Sequence, residues 1–277
     1  MDAFLVINCS LDALLMLISI TANALILSAL FRTPSLRSPS TIFLCSLAVS
    51  DLLVGLVVQP VYIANELTSS NSLLHLSANI LLGIACSVSL FTMTAISVDR
   101  FLALRYHMRY PILMTEKRAI CTTVTIWFIC IVAPSLSLSH NRHGVFALGI
   151  AICIFISTFS YIRIYQIVRQ HQLQIQAQQQ AVQTDHNLNH ARSTKTAINT
   201  FIFYACMILC YTPMFVFMLI LAFYPFLRTN AWLFAETVTF MNSSINPFLF
   251  CWRLRELRAA VLKTLRALFG KDAEVNS

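Results

Sequence analysis

The stretch AISVDRFLALRYHMRYP, residues 95–111, places the charged pair Asp99-Arg100 directly after a long apolar run and follows it with Arg105 and Arg109. A charged pair in the middle of a bilayer is costly, whereas the same pair at the end of a membrane helix is tolerated and accessible. The whole chain is 58% hydrophobic and only 11% charged, with a mean hydropathy of +0.73. Because soluble domains average about 25% charged residues, this composition predicts an integral membrane protein.

Seven apolar runs are long enough to cross a bilayer, which takes about 20 residues in a helix. They predict an all-α membrane protein, a seven-transmembrane helix bundle, with spans at 4–31, 41–64, 73–104, 119–139, 145–169, 197–223 and 231–252. In RLRELRAAVLKTLRALFGK, residues 253–271, leucines share one helical face and basic residues lie elsewhere. That pattern predicts an amphipathic helix on the membrane surface. The chain therefore divides into a seven-helix domain, 1–252, and a surface helix with a short tail, 253–277.

The net charge of +8 is distributed in short segments between the apolar runs, which argues against nucleic acid as a partner. With the N-terminus outside, 17 of the 19 Lys and Arg fall on the inner side, and only Arg142 and Arg228 fall outside. The excess of basic residues on the inner side predicts an extracellular N-terminus and a cytoplasmic C-terminus in the lipid bilayer.

Polar residues inside the spans are few, and several share one predicted depth. They are Asp51 in the second span, Ser89 in the third, and Asn242, Ser243 and Asn246 in the seventh. A carboxylate with hydroxyls and amides at matching depth fits either a small cation, Na⁺ above all, or a hydrogen-bonded network that ties helices together. The residues alone leave both interpretations open.

Two prolines, Pro213 in CYTPMF and Pro247 in SINPFLF, lie within predicted spans. Proline has no backbone N–H and clashes with the preceding turn, so both positions predict kinks. Kinks near a polar cluster suit hinges, and they equally suit static packing.

Taken together, these residues resemble the signatures of the rhodopsin-like (class A) G-protein-coupled receptors over about residues 4–270. The matching residues are Asn23, LAVSD ending at Asp51, Asp99-Arg100-Phe101, Trp127, Tyr161, Cys210-Tyr211-Thr212-Pro213 and Asn246-Pro247-Phe248-Leu249-Phe250. The resemblance implies a receptor that binds an extracellular ligand between its helices and promotes nucleotide exchange on a heterotrimeric G protein. It also implies a plasma-membrane location and an allosteric Na⁺ at the Asp51 cluster.

The same resemblance gives Asp99-Arg100 a role at the cytosolic end of the third span. Asp99 would hold Arg100 in the resting state, and Arg100 would help form the G-protein cleft when the sixth span swings outward. The implied switch positions are Asp99, Arg100, Phe101, Tyr161, Tyr211, Pro213, Asn246, Pro247 and Phe250.

Within the family, the loop LRYHMRYPILMT, residues 104–115, resembles the adenosine and melanocortin receptors. Two further traits are melanocortin-like. His75 stands where the family usually has a disulfide cysteine, and residues 135–144 hold no cysteine. Cys153 also stands where the fifth span usually has a proline.

Other departures concern the switch. Phe250 replaces the last tyrosine of the seventh span, Tyr211 replaces a tryptophan, and Ser193 stands where some members carry an acid that pairs with the triplet arginine. These replacements predict a loosely held resting state and measurable basal signalling.

The resemblance places the ligand pocket between the outer halves of the spans, at Leu82, Gly83, Cys86, Phe215, Met218, Trp232, Glu236 and Phe240. Leu82 stands where amine receptors have aspartate, and Phe240 where opsins have lysine. Met218 stands where adenosine receptors have a key asparagine. The acidic calcium-binding trio of melanocortin receptors is replaced by Val61, His75 and Asn79. Glu236 is expected either to pair a cationic ligand or to bond Tyr62.

Three other classes of protein compete with this interpretation of the sequence. A seven-span zinc hydrolase needs metal-ligand spacing in or near the spans, whereas the seven histidines fall in loops or at helix ends. A transporter would show paired internal repeats, and none is evident. An atypical or decoy receptor without G-protein coupling stays open. Asn8-Cys9-Ser10 is a glycosylation sequon close to the membrane, and Cys251 is a candidate for palmitoylation.

Overall fold

A computed structural model describes residues 3–36, 38–68, 72–136, 142–181, 187–224, 230–268 and 270 of the chain. All regular elements in these ranges are helical, so the predicted all-α class is confirmed. The α-helices are α1 (Ala3–Arg32), α2 (Pro39–Leu53), α3 (Gln59–Leu67), α4 (Ser72–Arg105), α5 (Tyr110–Leu113), α6 (Glu116–Leu136), α7 (Arg142–Ala181), α8 (Asn187–Phe223), α9 (Asn230–Arg253) and α10 (Arg255–Leu268).

Each predicted span corresponds to one long helix, with α2 and α3 forming a single continuous one. Within the described residues, five are long and apolar enough to cross a membrane by length and composition alone: Ala3–Arg32, Pro39–Leu67, Ser72–Arg105, His143–His171 and Tyr204–Phe223. The side chains of α6 are described only to residue 132. The remaining helix, α9, is less apolar because Glu236, Asn242 and Asn246 lie within it.

The helices pack as a ring. Contacts run from α1 to α2, then to α4, α7, α8 and α9, and α9 returns to α1. Outside this ring, α6 packs against both α2 and α4. Residues far apart in the chain, such as those of α1 and α9, are thereby brought together in the centre.

Burial is inverted relative to a water-soluble protein. Large apolar side chains point outward, with Leu14, Phe128 and Phe155 at 54%, 66% and 73% exposure, while Asp51 and Asn246 are fully buried. This distribution suits hydrocarbon outside and hydrogen-bonded polar groups inside.

The continuous helix of α2 and α3 contains a π-helical turn, Val54–Val58. Pro60 follows directly, and a proline cannot supply the backbone N–H that a regular helix would use. The wider turn adds a residue and rotates everything after it. Gly55 lies in this turn against α1, where an added Cβ would stand 2.8 Å from Ile20 Cγ1 and 3.2 Å from the Met16 carbonyl oxygen.

The predicted surface helix is present as α10, which packs against α1 and α9. Its buried face carries Leu257, Val261 and Thr264. The sequence of the Gln-rich segment 170–196 predicts a helix extension followed by a flexible link. The extension is confirmed, because α7 continues to Ala181 and α8 already begins at Asn187, while 182–186 lie outside the described residues.

Candidate functional site

Asp51 is fully buried where α2 meets α4 and α9, and both of its carboxyl oxygens accept hydrogen bonds. Asn246 Nδ2 donates to one oxygen at 2.8 Å and Ser89 Oγ to the other at 3.2 Å. Ser243 also lies close to this carboxyl, and Ser50 Oγ lies 3.0 Å from Ser89 Oγ. These five residues form the Asp51 cluster, in which four of the predicted sodium-site residues lie together.

The fifth predicted member, Asn242, directs its amide elsewhere. Asn242 Nδ2 lies 3.5 Å from both Tyr211 Oη and Met93 Sδ, so both interactions are long. Tyr211, which stands in the family's tryptophan position, is only 2% exposed. The Asn242 amide therefore links α9 to Tyr211 on α8, one of the predicted switch positions, and does not bond to the Asp51 carboxyl.

Helix α1 supports the Asp51 cluster through the backbone. Ser19 Oγ donates to the Asp51 carbonyl at 2.8 Å, and Asn23 Nδ2 donates to the Ser243 carbonyl at 3.1 Å. The Ser243 carbonyl lies four residues before Pro247, whose missing N–H leaves it without its usual helical donor. Asn23 therefore supplies the hydrogen bond that Pro247 removes. Ser19 was not predicted, and its only sequence signal is a position one helical turn before Asn23.

At the other end of α4, the Asp99 carboxyl is held mainly by hydroxyl groups. Ser40 Oγ and Tyr110 Oη each donate to it at 2.7 Å. The Arg100 Nε atom is 4.0 Å from the nearer Asp99 oxygen, and the Arg100 side chain is 27% exposed. Pairs at this distance and exposure contribute little, so the predicted clamp of Asp99 on Arg100 is present but weak. Ser40 and Tyr110 were not predicted.

Tyr110 belongs to α5, the short helix that follows the charged triplet. Burial and the hydrogen bond to Asp99 raise the pKa of the Tyr110 hydroxyl above its ordinary value. The hydroxyl therefore keeps its proton at neutral pH and remains a donor to Asp99. Phe101, the third residue of the triplet, packs edge-on against Phe159 of α7 with ring centroids 6.4 Å apart.

Tyr161 and Phe250 lie close to this end of the bundle and are 6% and 2% exposed. The Tyr161 ring packs against Tyr204 of α8 at a centroid distance of 4.8 Å. Its hydroxyl also lies near Ser97 and the Arg253 guanidinium. Arg253, at the last position of α9, therefore approaches the Tyr161 hydroxyl. The sequence analysis did not identify it.

Pro213 lies within α8 and Pro247 within α9, as expected. Neither interrupts its helix. The predicted role of these positions as hinges stays a prediction.

The predicted pocket residues lie at the end of the bundle where α1 begins. Leu82, Trp232, Glu236 and Phe240 are all under 9% exposed, while Cys86, Phe215 and Met218 pack against the same core. Gly83 keeps this region tight, because a Cβ there would stand 2.9 Å from Phe146 Cζ.

Glu236 interacts with α3 across the bundle. Tyr62 Oη donates to Glu236 Oε2 at 2.8 Å, and the Tyr62 ring packs against Phe240 at 5.2 Å. This is the helix-tying bond expected as one of the two roles of Glu236. The other expected role, pairing with a cationic group of a ligand, stays a prediction.

A second set of buried polar groups lies beside Tyr62, and we call it the Asp12 cluster: Asn8, Asp12, Gln59 and Thr237. Asn8 Nδ2 donates to Asp12 Oδ2 at 3.3 Å, and Thr237 Oγ1 donates to Asn8 Oδ1 at 3.1 Å. Gln59 Nε2 donates to the Asp12 carbonyl at 3.3 Å. Of these, only Asn8 was named from the sequence, as part of the glycosylation sequon.

The sequence matches the profile of the 7 transmembrane receptor (rhodopsin family) over residues 22–144 and 142–250. That match covers most of the chain and includes the Asp51 cluster, the charged triplet and both prolines. The predicted seven-helix membrane fold is confirmed by this match, and so is the resemblance to class A receptors.

Two similar proteins are melanocortin receptors. Melanocortin receptor 4 of Danio rerio is 26% identical over 279 residues, covering 92% of this chain and 82% of that receptor. Melanocortin receptor 3 of Rattus norvegicus is 26% identical over 267 residues, covering 87% of this chain and 80% of that receptor. These similarities agree with the melanocortin-like traits read from the sequence.

Proposed function

The chain belongs to the rhodopsin family of seven-transmembrane receptors, and we propose that it binds an extracellular ligand and promotes nucleotide exchange on a heterotrimeric G protein. Proteins of this family are multi-pass membrane receptors and not enzymes. The single observation that carries the proposal is the state of the charged triplet. Asp99 is bonded by Ser40 and Tyr110, which leaves Arg100 partly exposed and weakly paired at 4.0 Å. A guanidinium so placed is available to a protein partner.

The orientation we propose puts this end of the bundle in the cytoplasm and the N-terminus outside the plasma membrane. It is supported by the basic residues, since α1, α4 and α9 all end in arginine there. In this orientation residues 1–252 form the receptor domain, and α10 lies along the inner membrane surface.

The residues of the Asp51 cluster fit an allosteric Na⁺. Besides the carboxylate and the hydroxyls, Asn246 Oδ1 is buried and has no hydrogen-bond partner among the described residues. Oxygen donors around one carboxylate suit a hard cation. Asp51, Ser89, Ser243 and Asn246 would hold the ion, and Asn242 would contribute only after its amide leaves Tyr211. An ion bound more tightly by one state than by the other shifts the equilibrium between them.

For the ligand, we propose a small molecule or peptide that contacts the apolar pocket and places a cationic group near Glu236. The support is the position of Glu236, a buried carboxylate that lies among Leu82, Trp232 and Phe240 in the predicted pocket. Glu236→Gln keeps an acceptor for Tyr62 but removes the charge, so agonist potency should fall with little loss of stability. A Glu236→Gln receptor that responds to its agonist like the wild type would contradict this role.

A receptor that binds ligand without activating a G protein is the second candidate, and the replaced switch residues favour it. Phe250 cannot offer the hydroxyl that the usual tyrosine offers, and Tyr211 fills the position of a larger ring. The two candidates differ in what Arg100 does, so one experiment separates them.

That experiment measures guanine-nucleotide exchange on a panel of purified G proteins with membranes that contain the receptor or its Arg100→Ala variant. The proposal predicts ligand-free exchange on at least one Gα and its loss in the variant, at matched surface expression. Exchange that is equal in both forms would contradict the role of Arg100. No exchange from either form, together with specific ligand binding, would favour the receptor without coupling.

A further inference from the structure

We propose that the Asp12 cluster binds a sodium ion of its own, separate from the Asp51 cluster. The cluster lies where α1, α3 and α9 meet, and both Asp12 and Gln59 are fully buried. Each has one oxygen, Asp12 Oδ1 and Gln59 Oε1, without a hydrogen-bond partner among the described residues. Buried acceptors are normally satisfied, so two of them at one helix junction indicate a bound group.

The two orphaned oxygens belong to one junction. The Gln59 amide lies against α1, because its Nε2 donates to the backbone oxygen of Asp12 at 3.3 Å. Gln59 Oε1 belongs to the same amide group as Nε2, so it also lies only a few ångströms from the backbone of Asp12. Thr237 Oγ1 also lies close to the Asp12 carboxyl. The same hydroxyl donates to Asn8 Oδ1 at 3.1 Å, which ties α9 to the junction.

The charges around the junction are negative. Glu66 interacts electrostatically with Asp12. Tyr62 interacts electrostatically with the carboxyl groups of Asp12, Glu66 and Glu236. In the part of the chain whose side chains the structure describes, no Lys or Arg lies at this end of the bundle. A carboxylate that stays ionised in such surroundings is stabilised by a positive charge, which a bound cation would supply.

The size and charge of the cation follow from the donors. Asp12 and Gln59 are both at 0% exposure, so an ion bound between them has to be small. Calcium-type sites use several carboxylates and six to eight oxygens. Among the described residues no group of three or more His, Cys, Asp or Glu is placed to hold a metal ion. One carboxylate with neutral amide and hydroxyl oxygens suits a monovalent hard cation, and Na⁺ is the extracellular one.

This site is distinct from the Asp51 cluster. Gln59 follows Asp51 by eight residues, which is about 12 Å along a helix at 1.5 Å per residue. No hydrogen bond between described residues joins the Asp12 and Asp51 clusters directly. The two ions would therefore bind independently, and each can be removed by itself.

The experiment measures the melting temperature of the purified full-length receptor while NaCl replaces choline chloride at constant ionic strength. In the Asp51→Asn background, a saturable rise of a few degrees should remain. It should disappear in Asp51→Asn/Asp12→Asn. A melting temperature that no longer depends on Na⁺ once Asp51 is replaced would overturn the proposal.

Two substitutions at Gln59 test the site in opposite directions if the Asp12 variant does not fold. Gln59→Met removes the orphaned oxygen and should raise the half-effect Na⁺ concentration about fivefold, the factor for about 1 kcal/mol. Gln59→Glu adds a carboxylate and should lower that concentration. The control Gln166→Met, on the exposed part of α7, should leave it unchanged. An identical midpoint in both Gln59 variants would contradict the proposal.

Discussion

Asp51 and Asp99 are both buried carboxylates, and the bundle holds them in different ways. The Asp51 side chain is bonded from α4 and α9, and its backbone is bonded from α1 by Ser19. The Asp99 side chain is bonded by Ser40 at the start of α2 and by Tyr110 in α5. Only Asp99 has an oppositely charged neighbour, Arg100, and that pair is stretched to 4.0 Å.

The region around Asp51 is held by several buried hydrogen bonds, and we call it the fixed centre. The region around Asp99 and Arg100 is held more weakly, and we call it the loose end. Moving the helices around Asp51 requires several buried hydrogen bonds to break together, which makes the centre resistant to small changes. At Asp99, hydroxyl donors occupy the carboxylate and leave Arg100 with a weak, partly exposed pair. We infer that the centre sets which state the bundle adopts, while the loose end presents Arg100 to a partner in that state.

The largest effect is expected from removing the fixed centre. Asp51→Ala should lower the free energy of unfolding by about 2 kcal/mol, because the buried donors Ser89 and Asn246 lose their acceptor. Asp51→Asn keeps the shape and should cost less. Thermal unfolding of the purified receptor in detergent measures both. An Asp51→Ala protein as stable as the wild type would abolish the distinction between the two regions.

The packing around the centre gives a smaller effect. Gly55→Ala places a Cβ 3.2 Å from the Met16 carbonyl oxygen, which is backbone and cannot rotate away. Overpacking of this kind should lower the free energy of unfolding by about 1 kcal/mol. The matched control is Gly149→Ala, because nothing lies within 4 Å of the Cβ it would add. If both variants unfold at the same temperature, the close approach of α1 to the π turn does not contribute.

The smallest effect is expected at the loose end. Tyr110→Phe removes one of the two strong donors to Asp99, so the carboxylate should attract Arg100 more strongly. Ligand-free nucleotide exchange should then fall about twofold, the factor for roughly 0.5 kcal/mol. Tyr106→Phe, at a more exposed position in the same loop, is the control. A rise in exchange for Tyr110→Phe would mean that the hydroxyl restrains the receptor instead of freeing it.

Much of the fold was predictable, because each helix is an apolar run bounded by polar residues. The Asp51 cluster was predictable from polar residues at equal depth in the second, third and seventh spans. Asn242 was assigned to the same cluster because it shares that depth. The structure directs its amide to Tyr211 on α8, and such a rotation depends on helix packing that the sequence does not specify.

The unpredicted residues have identifiable physical causes. Gln59 follows the π turn, which rotates it away from the position that a regular helical period assigns. Ser40 and Tyr110 come from a helix start and a loop helix, so their contact with Asp99 is tertiary. The ligand pocket was placed by family resemblance alone, and the Tyr62–Glu236 bond is one of the two roles expected of Glu236.

The most direct test of the central claim is ligand-free nucleotide exchange measured in Na⁺ and in choline. If the Asp51 cluster sets the state and Arg100 meets the G protein, replacing Na⁺ with choline should raise exchange severalfold in the wild type. The rise should vanish in Asp51→Asn, and exchange itself should vanish in Arg100→Ala. Exchange that is indifferent to Na⁺ in the wild type, or that survives Arg100→Ala, would contradict the account.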